Sequence, residues 1–254
     1  MKRLLSVSCV VLLAGCVATG GTSGRSTSTK DAAKANVQLG VAYMQQGQLA
    51  LAKEKLERAA KQDPRGAEVH TALAYLNERL DRPAEADAEY RLALRLSPGN
   101  SEVANNFAVF LCRTGKVDDA LKQFESATRD RLYATPWAAF TNAGVCLRSV
   151  GRGGEAVALL QQAISIRPNY TPAVYELADL QLELGSPGVA GQVIDRYLAL
   201  GLIAPDVLLL GVRAAMAREE RPAALALARR LKREFPDSPQ LRQVSALLGE
   251  GPQP

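Results

Sequence analysis

The chain repeats itself every 34 residues. Leu39-Gly40, Leu73-Ala74 and Phe107-Ala108 recur at that interval, as do Tyr43, Asn77 and Leu111. So do Ala52, Ala86 and Ala120; Leu56, Tyr90 and Phe124; and Ala59, Ala93 and Ala127, with Pro64 and Pro98 closing the first two units. An insertion near Tyr133 to Pro136 interrupts the register. A fourth unit then holds Ala143-Gly144, Leu147, Ala156, Leu160, Ala163 and Pro168. A fifth holds Leu177-Ala178, Gln181, Ala190 and Ile194 but lacks the closing proline; a sixth holds Leu210-Gly211, Ala214, Ala224, Leu231 and Pro236. A unit this short cannot bury an apolar face alone and must stack on its neighbours, so the period dictates a solenoid. Aromatic residues make up 5% of the chain, Ala and Leu are abundant, and alternating β-branched runs are few, which argues against strands.

Each unit reads as two amphipathic helices. Small residues at Gly40, Ala52 and Ala59 let the pair approach closely, and Leu39, Tyr43 and Leu56 are expected to fill the space between helices. Gly47, Gly115, Gly151 and Gly185 mark the turn inside the unit. Pro83, Pro187 and Pro222 fall where a second helix starts and a missing N–H costs little. This pattern resembles the tetratricopeptide repeat. The resemblance implies an all-α, right-handed superhelix of about six repeats. They fall near 33–66, 67–100, 101–136, 137–170, 171–203 and 204–237, with a short C-terminal helix over 238–250, opened by Ser238-Pro239, capping the stack.

The start of the chain reads differently. Met1-Lys2-Arg3 precedes an apolar run from Leu4 to Leu13, which ends in Leu13-Ala14-Gly15-Cys16. A basic start, a short apolar stretch and small residues before a cysteine are the signs of a bacterial lipoprotein signal over 1–15, with Cys16 the lipidated residue. The run is too short for a permanent span. Gly, Ser and Thr then dominate a flexible tether, 16–31, and 32–254 forms the folded body. Val17 is not the Asp that marks retention at an inner membrane, so the outer membrane is the expected destination. Loss of Lys2 and Arg3 lowers the basic count from 31 to 29 against 26 acidic residues, and a mature charge of +3 is no nucleic-acid footprint.

In the repeat family that this chain resembles, the first helices line the inner groove. The corresponding positions are Lys34, Val37, Val41, Met44 and Gln45 in repeat one; Glu68, Thr71, Tyr75, Glu78 and Arg79 in repeat two; and Glu102, Asn105, Val109, Cys112 and Arg113 in repeat three. Val37, Val41 and Met44 make the first unit the most apolar. With Tyr75 and Arg79 they are the expected partner-binding residues. The alternative is cover by the tether or ordinary packing for the apolar three, and solvated charge for Arg79 and Arg113 rather than a carboxylate clamp. Asn106 and Asn142 read as structural. His70, the sole histidine, falls at a core-facing position. Gly151-Arg152-Gly153-Gly154 follows a helix and lacks a trailing Gly-Lys-Ser/Thr, so it reads as a turn and not a phosphate loop. No cysteine–histidine spacing suits zinc, and no nucleophile has a base beside it. The expectation is a non-enzymatic interaction protein without cofactor, catalytic residue, metal or small-molecule substrate. Cys112 and Cys146 lie in the middle of neighbouring first helices; they can form a bridge or remain two buried thiols.

Four segments narrow the resemblance: Asn105-Asn106-Phe107-Ala108-Val109-Phe110-Leu111-Cys112, the insertion Leu132-Tyr133-Ala134-Thr135-Pro136, Asn142-Ala143-Gly144-Val145-Cys146, and Leu208-Leu209-Leu210-Gly211-Val212-Arg213. With the cysteine signal they resemble the type IV pilus biogenesis lipoproteins of the PilF/PilW kind. That resemblance implies a pilotin, a lipid-anchored protein of the outer membrane that binds the pilus secretin and promotes its localisation and multimerisation. It also implies a disulfide between Cys112 and Cys146. A scaffold lipoprotein of another envelope assembly machine is the alternative reading.

Overall fold

Alanine-rich stretches with an apolar residue every third or fourth position favour helices, and in the computed structural model, which describes residues 29–249, every regular element is an α-helix. They run α1 (Thr29–Gln45), α2 (Leu49–Gln62), α3 (Ala67–Arg79), α4 (Pro83–Leu96), α5 (Ser101–Arg113), α6 (Val117–Arg129), α7 (Pro136–Ser149), α8 (Gly153–Ile166), α9 (Thr171–Glu183), α10 (Pro187–Ala199), α11 (Pro205–Ala217), α12 (Arg221–Glu234) and α13 (Pro239–Leu248). The first twelve form six hairpins. Residues 1–28, and with them Cys16 and the leader, lie outside the described residues. Helix α1 begins at Thr29, so Thr29, Lys30 and Asp31 belong to the helix and not to the tether. Asp31 in the first turn complements the helix dipole.

One device closes all six hairpins. The residue after the first helix's last turn takes a left-handed conformation, and the next N–H donates to the carbonyl five residues back. The bonds run from Gln48 to Tyr43, Arg82 to Asn77, Lys116 to Leu111, Arg152 to Leu147, Ser186 to Gln181 and Glu220 to Ala215. Glycine fills the left-handed position in four hairpins. Asp81 (φ 55°) and Glu219 (φ 61°) fill it in the other two. A short polar side chain tolerates that region; for Glu219 it costs about 1 kcal/mol.

Within a hairpin the helices touch at a small residue. A Cβ on Gly40 would lie 2.6 Å from Leu56 Cγ, and one on Gly144 would lie 2.7 Å from Leu160 Cγ. Between hairpins the contacts are unequal. Each first helix packs on the next first helix, as α1 on α3 and α3 on α5. Among the described residues no second helix packs on the next second helix. First helices therefore sit on the inside of the curve and second helices splay on the outside. Tyr90, Phe107 and Phe110 form an aromatic cluster at the junction of repeats two and three, with centroids 5.3–6.2 Å apart. Helix α13 closes the far end by burying Val244 and Leu248. Among the described residues nothing covers the near end. Leu39, expected to fill a gap, is 47% exposed, because its equivalents Phe107 and Leu177 are buried against a preceding repeat and repeat one has none.

Candidate functional site: the inner groove

The inner face of repeats one to three encloses a groove of about 670 Å³. Helix α1 contributes Val37 and Val41; α3 contributes Glu68, Thr71, Tyr75 and Glu78; α5 contributes Glu102, Asn106, Val109 and Arg113. The α5 set is spaced by four, three and four residues, which is one stripe of a 3.6-residue helix. Tyr75 is the exposed aromatic of the groove at 39%, beside half-buried Val41 and Val109. Thr71 spends its hydroxyl on the Ala67 carbonyl, 2.8 Å away.

The polar end of the groove is already organised. Tyr90 donates its hydroxyl to Glu78 Oε1 at 2.7 Å, and the Arg113 guanidinium pairs with Glu78 Oε2. Burial pushes the Glu78 carboxyl above its usual range, and the bonds from Tyr90 and Arg113 pull the other way without prevailing. Burial, with Glu78 beside it, pushes the Tyr90 phenol upward as well. Arg113 is thus committed to Glu78, whereas Glu68 and Glu102 line the groove with no ion pair among the described residues. The groove suits an apolar anchor flanked by basic or amide groups.

Two expected groove residues lie elsewhere. Met44 is fully buried with Ala52, Leu56 and Ala59, because it lies two turns after Val37 on the same stripe of α1, and that stripe faces the hairpin core. Val37 itself is 5% exposed, so it forms the floor and not an exposed face. Arg79 is absent from the groove lining. Its guanidinium donates to the Met44 carbonyl at 3.3 Å, a second bond to an oxygen that also accepts the Gly47 N–H, so Arg79 and Arg113 do not form a clamp for a carboxylate. A further exchange concerns neighbouring asparagines. Asn105 is buried and accepts from Asn142 Nδ2 at 3.1 Å, whereas Asn106, read as structural, faces the groove. The four-three-four spacing from Glu102 to Arg113 was the signal that points to it. Tyr90 was also missed as a groove residue. It comes from a second helix, and only its hydroxyl reaches inward.

His70 is packed, with Nδ1 2.6 Å from Glu89 Oε2 and Nε2 3.0 Å from the Pro64 carbonyl. Cys112 and Cys146 are joined as a disulfide between α5 and α7, with Cα atoms 5.8 Å apart. Gly151 takes the left-handed turn of its hairpin and Gly153-Gly154 opens α8. Among the described residues no group of three His, Cys, Asp or Glu side chains is placed to hold a metal ion, and no helix is long and apolar enough to cross a membrane.

The inner face changes beyond the disulfide. Arg148 on α7 reaches Glu176 at 2.8 Å, Asp179 at 2.6 Å and Glu183 at 2.5 Å, all on α9, and Arg213 on α11 reaches Asp179 at 3.1 Å. These pairs fill the inner face of repeats four to six with a closed ionic lattice.

Comparison with known proteins agrees with this architecture. Tetratricopeptide repeat models match residues 37–101 and 111–171, and a second such model matches 147–201. The type IV pilus assembly protein PilF of Pseudomonas aeruginosa is 30% identical over 236 residues, 92% of this chain and 94% of that one. The crystal structure of PilW, a widely conserved type IV pilus biogenesis factor, superposes with a TM-score of 0.68 at 30% identity, covering 84% of this chain and 97% of PilW. The solved structure of Pseudomonas aeruginosa PilF gives 0.67 at 30% identity, over 86% and 99% of the two chains.

Proposed function

Since the chain belongs to the tetratricopeptide-repeat family of type IV pilus biogenesis proteins, we propose that it acts as a pilotin. In this reading it is anchored to the outer membrane through lipid on Cys16, binds the pilus secretin and promotes secretin multimerisation. One observation carries the binding half of the proposal: the inner groove of repeats one to three is open, apolar at Val41, Tyr75 and Val109, and lies at the end of the body nearest the tether. Asn106 has no hydrogen-bond partner among the described residues, and its amide is free to bond the backbone of an extended segment. Glu68 and Glu102 favour a segment that carries a basic residue beside its apolar anchor. The work asked of the chain is positioning, which needs no catalytic group. The closed lattice around Arg148 leaves the back half of the inner face less available.

The test replaces Val41 by Asp and Tyr75 by Ala in the full-length protein. If both are central contacts, each weakens secretin binding by about 1–3 kcal/mol. Helix content by circular dichroism should hold, while secretin multimers fall and monomer accumulates. Normal ring assembly in both folded variants would place the site elsewhere. In the same strains Cys16→Ser should release the protein from the outer-membrane fraction, because stable anchoring needs more than one acyl chain.

A further inference from the structure

The outer face breaks its own repeat pattern at repeats four and five. Counting from the small alanine of each second helix, the third position on holds Lys55, Glu89 and Gln123 in α2, α4 and α6, but Leu159 and Val193 in α8 and α10. The ninth position holds Lys61, Arg95 and Arg129, then Ser165 and Ala199. The tenth holds Gln62, Leu96 and Asp130, then Ile166 and Leu200, which are 46% and 54% exposed.

The latches between second helices vanish at the same place. Lys116, just ahead of α6, reaches Asp87 on α4 at 3.3 Å, and Arg152, just ahead of α8, reaches Asp118 on α6 at 3.5 Å. At the next junction Ser186 stands where those cations stand and Gly154 stands where Asp118 stands, so no ion pair spans α8 and α10. Between them a groove of about 590 Å³ is open. Val174 and Leu177 of α9 form its floor, Val193 a wall, and Val189 and Leu200 its lips. Arg196 lies on the rim and has no acidic partner among the described residues. One repeat later Arg230 holds the same position, so positive charge continues along that side.

We propose that this outer groove between α8 and α10 is a second docking site, distinct from the inner groove, for a segment of a partner protein that carries apolar anchors beside an acidic residue. An exposed apolar depression with a single-signed rim fits the recognition of an amphipathic segment laid between two helices. A floor recessed behind its lips favours a side chain that inserts over a flat bilayer, which would need its apolar groups at the crest. Arg196 supplies the register and the sign of the partner's charge. With one partner inside repeats one to three and another outside repeats four and five, the protein would bridge two components of the pilus machine.

The test places the photo-crosslinking residue p-benzoylphenylalanine at Leu200 in the full-length protein, in cells that make type IV pili, and maps the product by mass spectrometry. Leu200 is half exposed, so the replacement is expected to fold; Val189, 40% exposed, is the second position. The expected product is an adduct to another protein, at an apolar segment with Asp or Glu within a few residues. Arg196→Glu should lower its yield by about fivefold or more, since a reversed rim charge repels the same partner. Tyr75→Ala, in the other groove, should leave the yield unchanged. Adducts only to lipid, only to a second copy of this chain, to a segment without acidic residues, or no adduct from either position would each overturn the proposal. So would an adduct insensitive to Arg196→Glu.

Discussion

Repeats one to three and repeats four to six share a backbone plan and put their apolar surface on opposite sides. In the front half Val41, Tyr75 and Val109 line the inside, and the outside is latched by Asp87 with Lys116 and by Asp118 with Arg152. In the back half the inside is closed by Arg148 and its three carboxylates, and the outside exposes Ile166, Val189 and Leu200. The difference separates two layers of information. Ala52, Ala86, Ala120, Ala156, Ala190 and Ala224 are all fully buried and set the stack. The residues between them decide what each face can hold, and they vary without disturbing the curve because a solenoid's repeats contact only their neighbours.

The largest effect should come from the bond across the boundary between the halves. Cys112 and Cys146 tie α5 to α7. In the chain-entropy model a closed loop of about 35 residues is worth about 3–4 kcal/mol. Replacing both cysteines by Ser should lower unfolding stability by that amount. It should also split one urea transition into two, because the remaining links between the halves are ordinary repeat packing, the Asn142–Asn105 hydrogen bond and the exposed Arg152–Asp118 pair. Urea unfolding followed by circular dichroism, with and without reductant, checks this. A variant that keeps one transition and its midpoint would mean that packing alone couples the halves.

The next effect distinguishes the inner faces. Removing the Arg148 side chain, 20% exposed, leaves Glu176, Asp179 and Glu183 facing one another across one turn after another of α9. Fully buried pairs broken in this way cost several kcal/mol; partial exposure reduces the expected loss for Arg148→Ala to about 1–3 kcal/mol. Arg148→Lys keeps the charge but not the fork that serves three carboxylates, so it should recover only part of the loss. In the disulfide-free background the loss should fall on the back-half transition. If thermal unfolding shows Arg148→Ala and the native chain with equal midpoints, the lattice is surface decoration.

Most of the fold was legible because a 34-residue period, small residues at fixed positions and glycines at the turns each point to the same hairpin. Asp81 and Glu219 were not legible as turn residues, since the hairpin bonds impose a left-handed conformation that their side chains do not announce. The groove was legible as a location and less so in detail. Position numbers taken from a repeat family put Met44 and Asn105 inside it. The actual phase of the helix turns Met44 into the core and presents Asn106 in place of Asn105. Arg79 was misplaced because a long side chain serves whichever acceptor is near, and the end of α1 offers the Met44 carbonyl. The ionic lattice and the outer groove depend on which helices end up adjacent, so neither appears in a residue-by-residue reading.

The smallest expected effect is a pH dependence confined to the front half. The hydrogen bond from His70 to Glu89 raises the imidazole's pKa; burial opposes this, and the Pro64 carbonyl adds to the rise. Asp63 is the other acidic group acting on it. A histidine whose folded pKa lies above its unfolded value, about 6.5, stabilises the fold fully below that value, and loses the contribution as pH climbs through the folded pKa. Glu78, raised by burial, acts with the same sign. Between pH 6 and 8 the front-half transition of the disulfide-free protein should therefore lose stability as pH rises. His70→Gln should flatten that slope, because glutamine bonds to Glu89 without titrating. The measurement is the midpoint of each urea transition at pH 6, 7 and 8. The back half contains no histidine, so an equal slope in both halves, or a slope that survives His70→Gln, would show that this bridge is not its source.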